Sequence, residues 1–409
     1  MNTTQATAFD WKDVEAFSRY FDALNGDTSH FLSSNDICTP MGCVKEMVDT
    51  VPDELWRRRG LKVLDSCCGN GNFHAYIRTK TSLKNLYFNE INKDRIKNVK
   101  SLFGKNVNLT AHDFLIFSED EKYDLVVSNP PYAKFCGDKR ASKNHNMSRD
   151  FIRKAIKLTK DGGYILFIAP DNWMSYSDRN VLPRLMSKYQ FIHLNIHGAK
   201  KWFPKVGSSF TWFLMKKAPN TDKFTIENHY KVHDVVETKL DKVSDFIPLY
   251  YSDIVRRLMR KTIYSSAPKY KVETTSDLHR YTKRNLISEK QTRKHKHRLI
   301  HTPKQTVWSE RPHKFQDGWK VFISLSDRFG TFVDNCGMTQ SVAFVRCRSK
   351  AEALRVKKEL DNPLYRGINN LTRYGNFNNI RVLQKLPLLS HVDLTERERQ
   401  LLIKFAESL

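Results

Sequence analysis

Long apolar segments are missing from this 409-residue sequence, in which the run from Tyr164 to Ala169 is among the longest. A transmembrane helix needs about 20 mostly apolar residues, so none is expected. The residues after Met1 are polar and mixed, without an apolar signal segment. We therefore expect a cytoplasmic protein, from a bacterium or from a cell that hosts a phage or virus.

Cysteine is scarce, and its spacing matches no metal site. The seven cysteines are an odd number and lie scattered along the chain, which favours a reducing compartment and argues against a disulfide framework. The tract from Gln291 to His301 is rich in histidine, but no matching set of Cys and His lies near it. We expect no bound metal, because structural zinc sites need such a set.

Acidic residues are also few: 44 Asp and Glu stand against 69 Lys and Arg, for a net charge of +25. A protein that binds a polyanion gains affinity from each phosphate that it neutralises. Residues 251–320 alone hold 18 Lys and Arg against 6 Asp and Glu. We expect Lys294, Lys296 and Arg298, in the densest basic run, to contact nucleic-acid phosphates. A solvated charged surface is the alternative interpretation.

Seven short apolar segments predict β-strands, separated by segments long enough for helices. This alternation indicates an α/β fold with a mostly parallel sheet covered on both faces. A helix is predicted from Ser148 to Thr159, ending before Asp161-Gly162-Gly163. The predicted strands are residues 62–65, 86–90, 107–113, 123–129, 164–170, 191–198 and 210–217.

A glycine-containing turn follows the first predicted strand. Gly69 and Gly71 allow the backbone to come close to a ligand, and no Gly-Lys-Ser/Thr follows that would indicate a phosphate loop. Glu90 ends the second strand, where a carboxylate typically accepts from ribose hydroxyls. Asp113 can accept from an adenine amine while Phe114 covers the base. These residues predict an adenosine pocket without a pyrophosphate site, which suits S-adenosylmethionine better than a dinucleotide.

The tetrapeptide Asn129-Pro130-Pro131-Tyr132 ends the fourth predicted strand. An amine on an aromatic ring or acyl group is a poor nucleophile, because its lone pair is delocalised. The side-chain oxygen of Asn129 and the backbone oxygen of Pro130 can both accept from one such NH2 group, which frees the lone pair for attack. Tyr132 offers a flat face for stacking. An ordinary strand-ending turn is the alternative.

The order of these segments resembles the gamma class of amino methyltransferases that modify adenine in DNA, the TaqI type in particular. The resemblance covers roughly residues 36–217, about half of the chain. The segments that carry it are Thr39-Pro40, Asp65-x3-Gly69-x-Gly71, Glu90, Asp113-Phe114, Asn129-Pro130-Pro131-Tyr132, Asp161 to Pro170 and Trp202-Phe203-Pro204.

This resemblance implies a Rossmann-like S-adenosylmethionine-dependent methyltransferase fold, with a seven-stranded mixed sheet whose last strand is antiparallel. It implies that the Thr-Pro segment packs over the methionine moiety and that the glycine turn carries the amino-acid end. It also implies that the acids hold ribose and adenine, and that the Asn, Tyr and late Phe positions hold a flipped target base. The implied cofactor residues are Thr39, Pro40, Asp65, Gly69, Gly71, Glu90, Ile91, Asp113 and Phe114, and the implied base contacts are Asn129, Pro130, Pro131, Tyr132 and Phe203.

The implied activity is transfer of a methyl group from S-adenosyl-L-methionine to the N6 amine of adenine in double-stranded DNA. The transfer would be direct and in line, without a covalent intermediate or a metal. The resemblance also implies a restriction-modification or phage setting, where a cognate restriction endonuclease is a possible partner. We expect a monomer.

Length and charge divide the chain into a catalytic domain at residues 1–245 and a basic α+β target-recognition domain at residues 246–409. In the second domain, Arg373 and Asn376 are candidate base readers, because Arg and Asn pair bidentately with guanine and adenine. A plain surface loop is the alternative for both. Ser349 is expected to cap an amphipathic helix from Lys350 to Leu360, with Ala353, Leu354 and Leu360 facing inward.

Other methyltransferases share the tetrapeptide. Structural-RNA adenine or guanine methyltransferases carry it, and so do protein glutamine methyltransferases, whose accessory domain precedes the catalytic one. The large domain after the catalytic segment favours DNA. A cytosine ring-carbon methyltransferase needs a nucleophilic cysteine, usually after proline, and the sequence contains no Pro-Cys. A binding module without catalysis is disfavoured by intact Asn129 and Tyr132.

Overall fold

The computed structural model describes residues 10–26, 38–118, 120–132, 135–136, 139–140, 147–177, 180–204, 209–242, 244–326 and 328–407. The chain divides into two compact units. Unit 1 contains Met1–Trp173 and Val181–Ser244, and unit 2 contains Met174–Asn180 and Asp245–Leu409. The division lies one residue before the predicted boundary, and no sequence feature indicated that Met174–Asn180 groups with unit 2.

Unit 1 is built on a nine-stranded mixed sheet with the order β11-β10-β8-β9-β7-β4-β1-β2-β3. Strand β9 is antiparallel to both of its neighbours, as expected, and the central strands are parallel. Two strands beyond the seven predicted, β10 and β11, extend one edge. The strands of unit 1 are β1 Val63–Asp65, β2 Leu86–Asn89, β3 Asn108–Thr110, β4 Tyr123–Ser128, β5 Phe135–Cys136, β6 Lys139–Arg140, β7 Thr159–Pro170, β8 Tyr189–Ile196, β9 Phe210–Pro219, β10 Phe224–Asn228 and β11 Asp234–Thr238.

The helices of unit 1 pack against this sheet. Residues of the first helices join strand residues such as Val63 and Phe88 in one large apolar cluster. A parallel strand covered on both faces is buried along its whole length, and every residue of β4 is buried. The helices are α1 Val14–Gly26, α2 Met41–Val48, α3 Asp53–Trp56, α4 Asn72–Ile77, α5 Lys93–Phe103, α6 Ser148–Leu158 and α7 Leu182–Met186.

Strand β7 begins five residues earlier than predicted, at Thr159. Helix α6 ends at Leu158, close to the predicted stop, but Asp161-Gly162-Gly163 continue the strand instead of forming a loop. The register shifts between Tyr123 and Leu125 where β4 pairs with β7, and Gly162 has a φ of +74°. The irregular pairing absorbs the glycines, which is why turn-forming residues occur inside a strand.

Unit 2 contains a four-stranded sheet, β12-β14-β13-β17, and a three-stranded antiparallel sheet, β16-β15-β18. Ser349 caps α9 by accepting from the backbone N–H of Glu352, as expected, but Leu354 is half exposed and not inward-facing. The strands are β12 Ile287–Ser288, β13 His297–Thr302, β14 Gln305–Ser309, β15 Lys320–Ser324, β16 Thr331–Asp334, β17 Gly337–Met338 and β18 Val342–Arg346, and the helices are α8 Asp253–Lys261, α9 Lys350–Leu360, α10 Pro363–Asn370, α11 Ile380–Leu383 and α12 Glu396–Glu407.

Candidate active site at the carboxyl ends of the central strands

The glycine turn connects the end of β1 to the start of α4. Gly69 has a φ of +57° and Gly71 a φ of +92°, which L side chains rarely adopt. A Cβ atom at Gly71 would also lie 2.6 Å from the ring of Phe103. Both glycines are therefore required by backbone conformation, and Gly71 is required by packing as well.

Glu90 holds this turn in place. Its two carboxylate oxygens accept from the backbone N–H groups of Gly69, Ile91 and Asn92, each at 2.8 Å. The side chain is buried, so these contacts replace the water that the charge has lost. The sequence predicted a contact with ribose, which stays a prediction. The role of Glu90 in holding the glycine turn was not predicted, because the N–H groups that donate to Glu90 are brought together only when the turn folds.

Asp65, the last residue of β1, is a fully buried carboxylate. Its Oδ1 accepts a long bond from the Cys67 N–H at 3.4 Å, and its Oδ2 has no hydrogen-bond partner. Burial raises the pKa of Asp65 well above its usual range, and the nearby charge of Glu90 adds to this effect. An unsatisfied buried acceptor beside the glycine turn is a place where a cationic group of a ligand would be stabilised.

The segment after β3 offers an apolar surface different from the predicted one. Asp113 is exposed and caps the short helical turn Phe114–Ile116 by accepting from the Leu115 N–H. The ring of Phe114 is only 2% exposed and stacks on Phe151 with centroids 5.6 Å apart. Ile116, by contrast, is 80% exposed. The predicted cover of adenine by Phe114 stays a prediction, and Ile116 is the outward-facing apolar side chain that the sequence did not single out.

Ile91 lies at the same edge of the sheet, directly after Glu90. Its side chain is 59% exposed, although most large apolar residues of unit 1 are buried. The carboxyl ends of the parallel strands β2 and β3 meet at this edge, so Ile91 and Ile116 flank the ends of neighbouring strands. Ile91 and Ile116 are therefore candidate contacts for a flat apolar part of a ligand.

The side-chain amide of Asn129 is held from two sides. Its Nδ2 donates to Thr39 Oγ1 at 2.8 Å, and its Oδ1 accepts from the hydroxyl of Tyr132. The buried Thr39 also accepts, through its backbone oxygen, from Asn72 at the start of α4. Thr39 thus links the amide to the helix that follows the glycine turn, and Pro40 precedes helix α2.

Three aromatic rings form a row in space beside this amide. The Tyr132 ring contacts Phe210 with centroids 5.4 Å apart, and Phe210 contacts Phe203 at 4.9 Å. Burial raises the pKa of the Tyr132 phenol, so it stays a proton donor at neutral pH. The structure places Phe203 in the aromatic group of Tyr132, while Pro130 is buried and Pro131 exposed. Phe210 was missed, because the start of a strand shows no functional signal.

The predicted phosphate-contacting residues of unit 2 differ in their surroundings. Lys294 forms an ion pair with Glu310, in which Nζ lies 2.8 Å from Oε1, and Arg298 forms an ion pair with Asp334. Lys296 is exposed and has no ion-pair partner among the residues described. Intramolecular pairing therefore neutralises two of the three predicted cations, which sequence spacing alone did not reveal.

The predicted base readers Arg373 and Asn376 lie in one short loop between α10 and α11. Arg373 Nη2 donates to the backbone oxygen of Asn376 at 3.0 Å. Asn376 is exposed and Arg373 partly exposed. The structure brings these two residues together, and their contact with bases stays a prediction.

The part of the chain that the structure describes contains neither a clustered metal site nor a membrane-spanning helix. No group of three or more His, Cys, Asp and Glu side chains in it is placed to hold a metal ion. Among its helices, none combines the length and the apolar character that a membrane crossing requires.

Parts of this chain are similar in sequence to known methyltransferases. Residues 43–203 match the family model of the Eco57I restriction-modification methylase. The chain is 24% identical over 250 residues to the type II methyltransferase M.HincII of Haemophilus influenzae, which covers 56% of this chain and 47% of the relative. It is 27% identical over 168 residues to the type II methyltransferase M.CvrRI of Paramecium bursaria Chlorella virus XZ-6E, covering 40% and 41%. The chain thus spans about half the length of these relatives.

A solved structure of DrdV in complex with DNA has a similar fold. The TM-score is 0.52 at 11% identity, and the match covers 97% of this chain and 60% of the other. The family match and this structural similarity together support an S-adenosylmethionine-dependent methyltransferase fold. That fold implies S-adenosyl-L-methionine as the cofactor. The site fits that group, because the unpartnered oxygen of Asp65 suits an ammonium and the exposed Ile91 and Ile116 suit an adenine ring.

Proposed function

We propose that this chain, whose residues 43–203 match a restriction-modification methylase, transfers a methyl group to the N6 amine of an adenine flipped out of duplex DNA. The observation that carries the proposal is the amide of Asn129, held by Thr39 and Tyr132 at the end of β4. With Nδ2 turned toward Thr39, the acceptor Oδ1 is left on the Tyr132 side, where it can receive a hydrogen bond from an amine.

In this proposal, Tyr132, Asn129 and Pro130 bind the target base and activate its amine. The ring of Tyr132 stacks with the target base, while Asn129 Oδ1 and the Pro130 carbonyl accept from its NH2 group. These two bonds localise the lone pair on nitrogen, and the amine becomes a nucleophile without a general base. The proton leaves once the amine is positively charged. S-adenosyl-L-methionine supplies an electrophilic sulfonium methyl when it is bound.

The cofactor would be held by residues at the ends of β1, β2 and β3. Asp65 is placed to pair with the ammonium of its methionine part, the glycine turn lets the backbone approach, and Thr39-Pro40 covers it. Glu90 and Asp113 are proposed to accept from ribose and adenine. The basic unit 2 is proposed to bind the DNA, which the net charge of +25 favours.

Methyl transfer from a labelled cofactor tests the proposal directly. The purified chain is incubated with duplex DNA, structured RNA or a glutamine-containing peptide, each at the same concentration. We expect label in duplex DNA only. Label in RNA or peptide and none in DNA would contradict the proposal and favour one of the other classes that share the tetrapeptide.

A further inference from the structure

Two aromatic side chains of unit 2 stand out by their exposure. Tyr281 is 69% exposed and Phe377 is 68% exposed, more than any other aromatic side chain in the described ranges. A single exposed ring is ordinary on a protein surface. What these rings have in common is the way in which the structure holds the loops that carry them.

The loop of Phe377 is anchored on both sides of the ring. Before it, the hydroxyl of Tyr374 donates to the backbone oxygen of Ile247. After it, Asn378 is buried, and its side chain donates to the Ser324 oxygen at 2.8 Å while its N–H donates to the Leu325 oxygen at 2.9 Å. The loop that carries the ring is therefore already ordered, so little conformational entropy of the loop is lost when a ligand binds.

The loop of Tyr281 is held at the same end of the three-stranded sheet. The N–H of Arg280 donates to Gln340 Oε1 at 2.9 Å. The next residue, Ser341, accepts from the N–H of Leu325 at 3.2 Å, and Leu325 is the residue that accepts from Asn378. Both loops are thus fixed to the point where β15 ends and β18 begins.

The charge of these two loops has one sign. Residues 279–285 and 373–379 contain four Lys and Arg and no Asp or Glu. Arg280 is paired with Glu289, but Lys283 and Arg284 are exposed and show no ion pair within the described ranges. Tyr281, Lys283, Arg284, Arg373 and Phe377 lie on these two loops, and we call this set of residues the aromatic face.

We propose that the aromatic face is the part of unit 2 that contacts the bases of duplex DNA, with the Phe377 ring packed directly on a base; this inference rests on the proposed function. In a duplex, an apolar ring can contact a base by inserting between base steps, and unpaired cations beside it attract the phosphates. A protein partner would leave these cations without acceptors unless it were acidic. The tract with Lys294 and Arg298 is less suited, because Glu310 and Asp334 already pair with those cations.

Three single variants test this inference, with binding to the target duplex measured over a range of salt concentrations. For Phe377→Ala we expect binding roughly 5- to 100-fold weaker, since the contact of the aromatic ring with a base is lost. The slope of log affinity against log salt should not change, because the ring neutralises no phosphate. Phe377→Trp should restore binding. Leu354→Ala, which removes a half-exposed apolar side chain on helix α9, is the matched control and should bind normally.

A second experiment does not depend on loss of binding. Replacing Phe377 by p-benzoylphenylalanine should give a light-dependent crosslink to the labelled duplex, at a thymine methyl group or a deoxyribose carbon. No crosslink, or unchanged affinity of Phe377→Ala in a chain that methylates DNA, would overturn this inference alone. If the unaltered chain neither binds nor methylates duplex DNA, the proposed function itself fails.

Discussion

At the scale of single residues, the site combines one well-satisfied polar group with one that lacks a partner. The Asn129 amide is bonded to Thr39 and Tyr132, so its orientation is fixed before any substrate arrives. Asp65 is buried with an oxygen that has no partner, which is costly in a folded protein. Such a cost is typical of residues that serve binding and not stability.

The role of Thr39 in orienting Asn129 predicts a difference between two substitutions. Thr39→Val keeps the shape but removes the acceptor of the Asn129 bond, so we expect turnover to fall about tenfold, the usual scale for one hydrogen bond. Thr39→Ser keeps the acceptor and should retain most of the turnover. Single-turnover rates and cofactor affinity are both measured. Equal rates for the two variants would contradict the orienting role.

The raised pKa of Asp65 predicts a stability that depends on pH. In the unfolded chain an aspartate has a pKa of about 3.9, and burial raises this value in the folded protein. Stability is therefore greatest below the unfolded pKa and falls as the pH rises toward the folded pKa. Asp65→Asn should make the cofactor-free protein more stable at neutral pH while weakening cofactor binding.

Urea unfolding at a series of pH values checks this prediction. The gain of Asp65→Asn over the unaltered chain should disappear as the pH falls below the unfolded pKa of about 3.9, where the aspartate becomes neutral in both states. If the difference in stability between Asp65→Asn and the unaltered chain did not change with pH, burial of the ionised Asp65 carboxylate would not be destabilising.

At the scale of secondary-structure elements, apolar segments predicted the central sheet well, and β9 is antiparallel as expected. The outer strands β10 and β11 were missed. The burial of β11 alternates, and its Val235 is 68% exposed, so no continuous apolar run marks it. The early start of β7 was missed because its glycines are turn formers in most contexts. The network that Glu90 forms could not be predicted, since it depends on three backbone N–H groups brought together by folding.

The two requirements at Gly71 predict an unequal effect of two similar substitutions. Gly60 has a φ of +66° and no atom within 4 Å of a Cβ position, so Gly60→Ala should cost only the backbone strain, about 1 kcal/mol. Gly71→Ala adds a clash with the Phe103 ring, and we expect a larger loss of stability together with weaker cofactor binding. Equal losses in urea unfolding would argue against the close packing of the turn.

At the scale of the whole molecule, the sequence predicted a basic second unit but not which of its cations are available. Charge counts do not show pairing, which requires side chains from distant positions such as Arg298 and Asp334 to meet. Burial is also not fixed by spacing alone: the helical spacing of Leu354 predicted that it faces inward, but it is half exposed. The location of the site at the ends of β1, β2, β3 and β4 could be predicted, because parallel strands bring their carboxyl ends to one edge.

The pairing of Lys294 predicts that two nearby lysines contribute unequally to DNA binding. Lys296→Ser removes an exposed cation and should reduce the salt slope by about one unit if it contacts a phosphate. Lys294→Ser removes a cation that already faces Glu310, so a smaller change is expected. Affinity for specific and random duplexes should fall alike, because phosphate contacts carry no sequence information. A larger effect of Lys294→Ser would contradict the assignment.

The central claim is that Asn129 activates the amine of an adenine in DNA, and the modified nucleoside tests it most directly. DNA treated with the purified chain and S-adenosyl-L-methionine is digested to nucleosides and examined by mass spectrometry, with Asn129→Ala as the matched control. The account predicts N6-methyladenine for the unaltered chain and, for the variant, a rate lower by about 100-fold or more with cofactor binding retained. N4-methylcytosine, or undiminished methylation by Asn129→Ala, would contradict it.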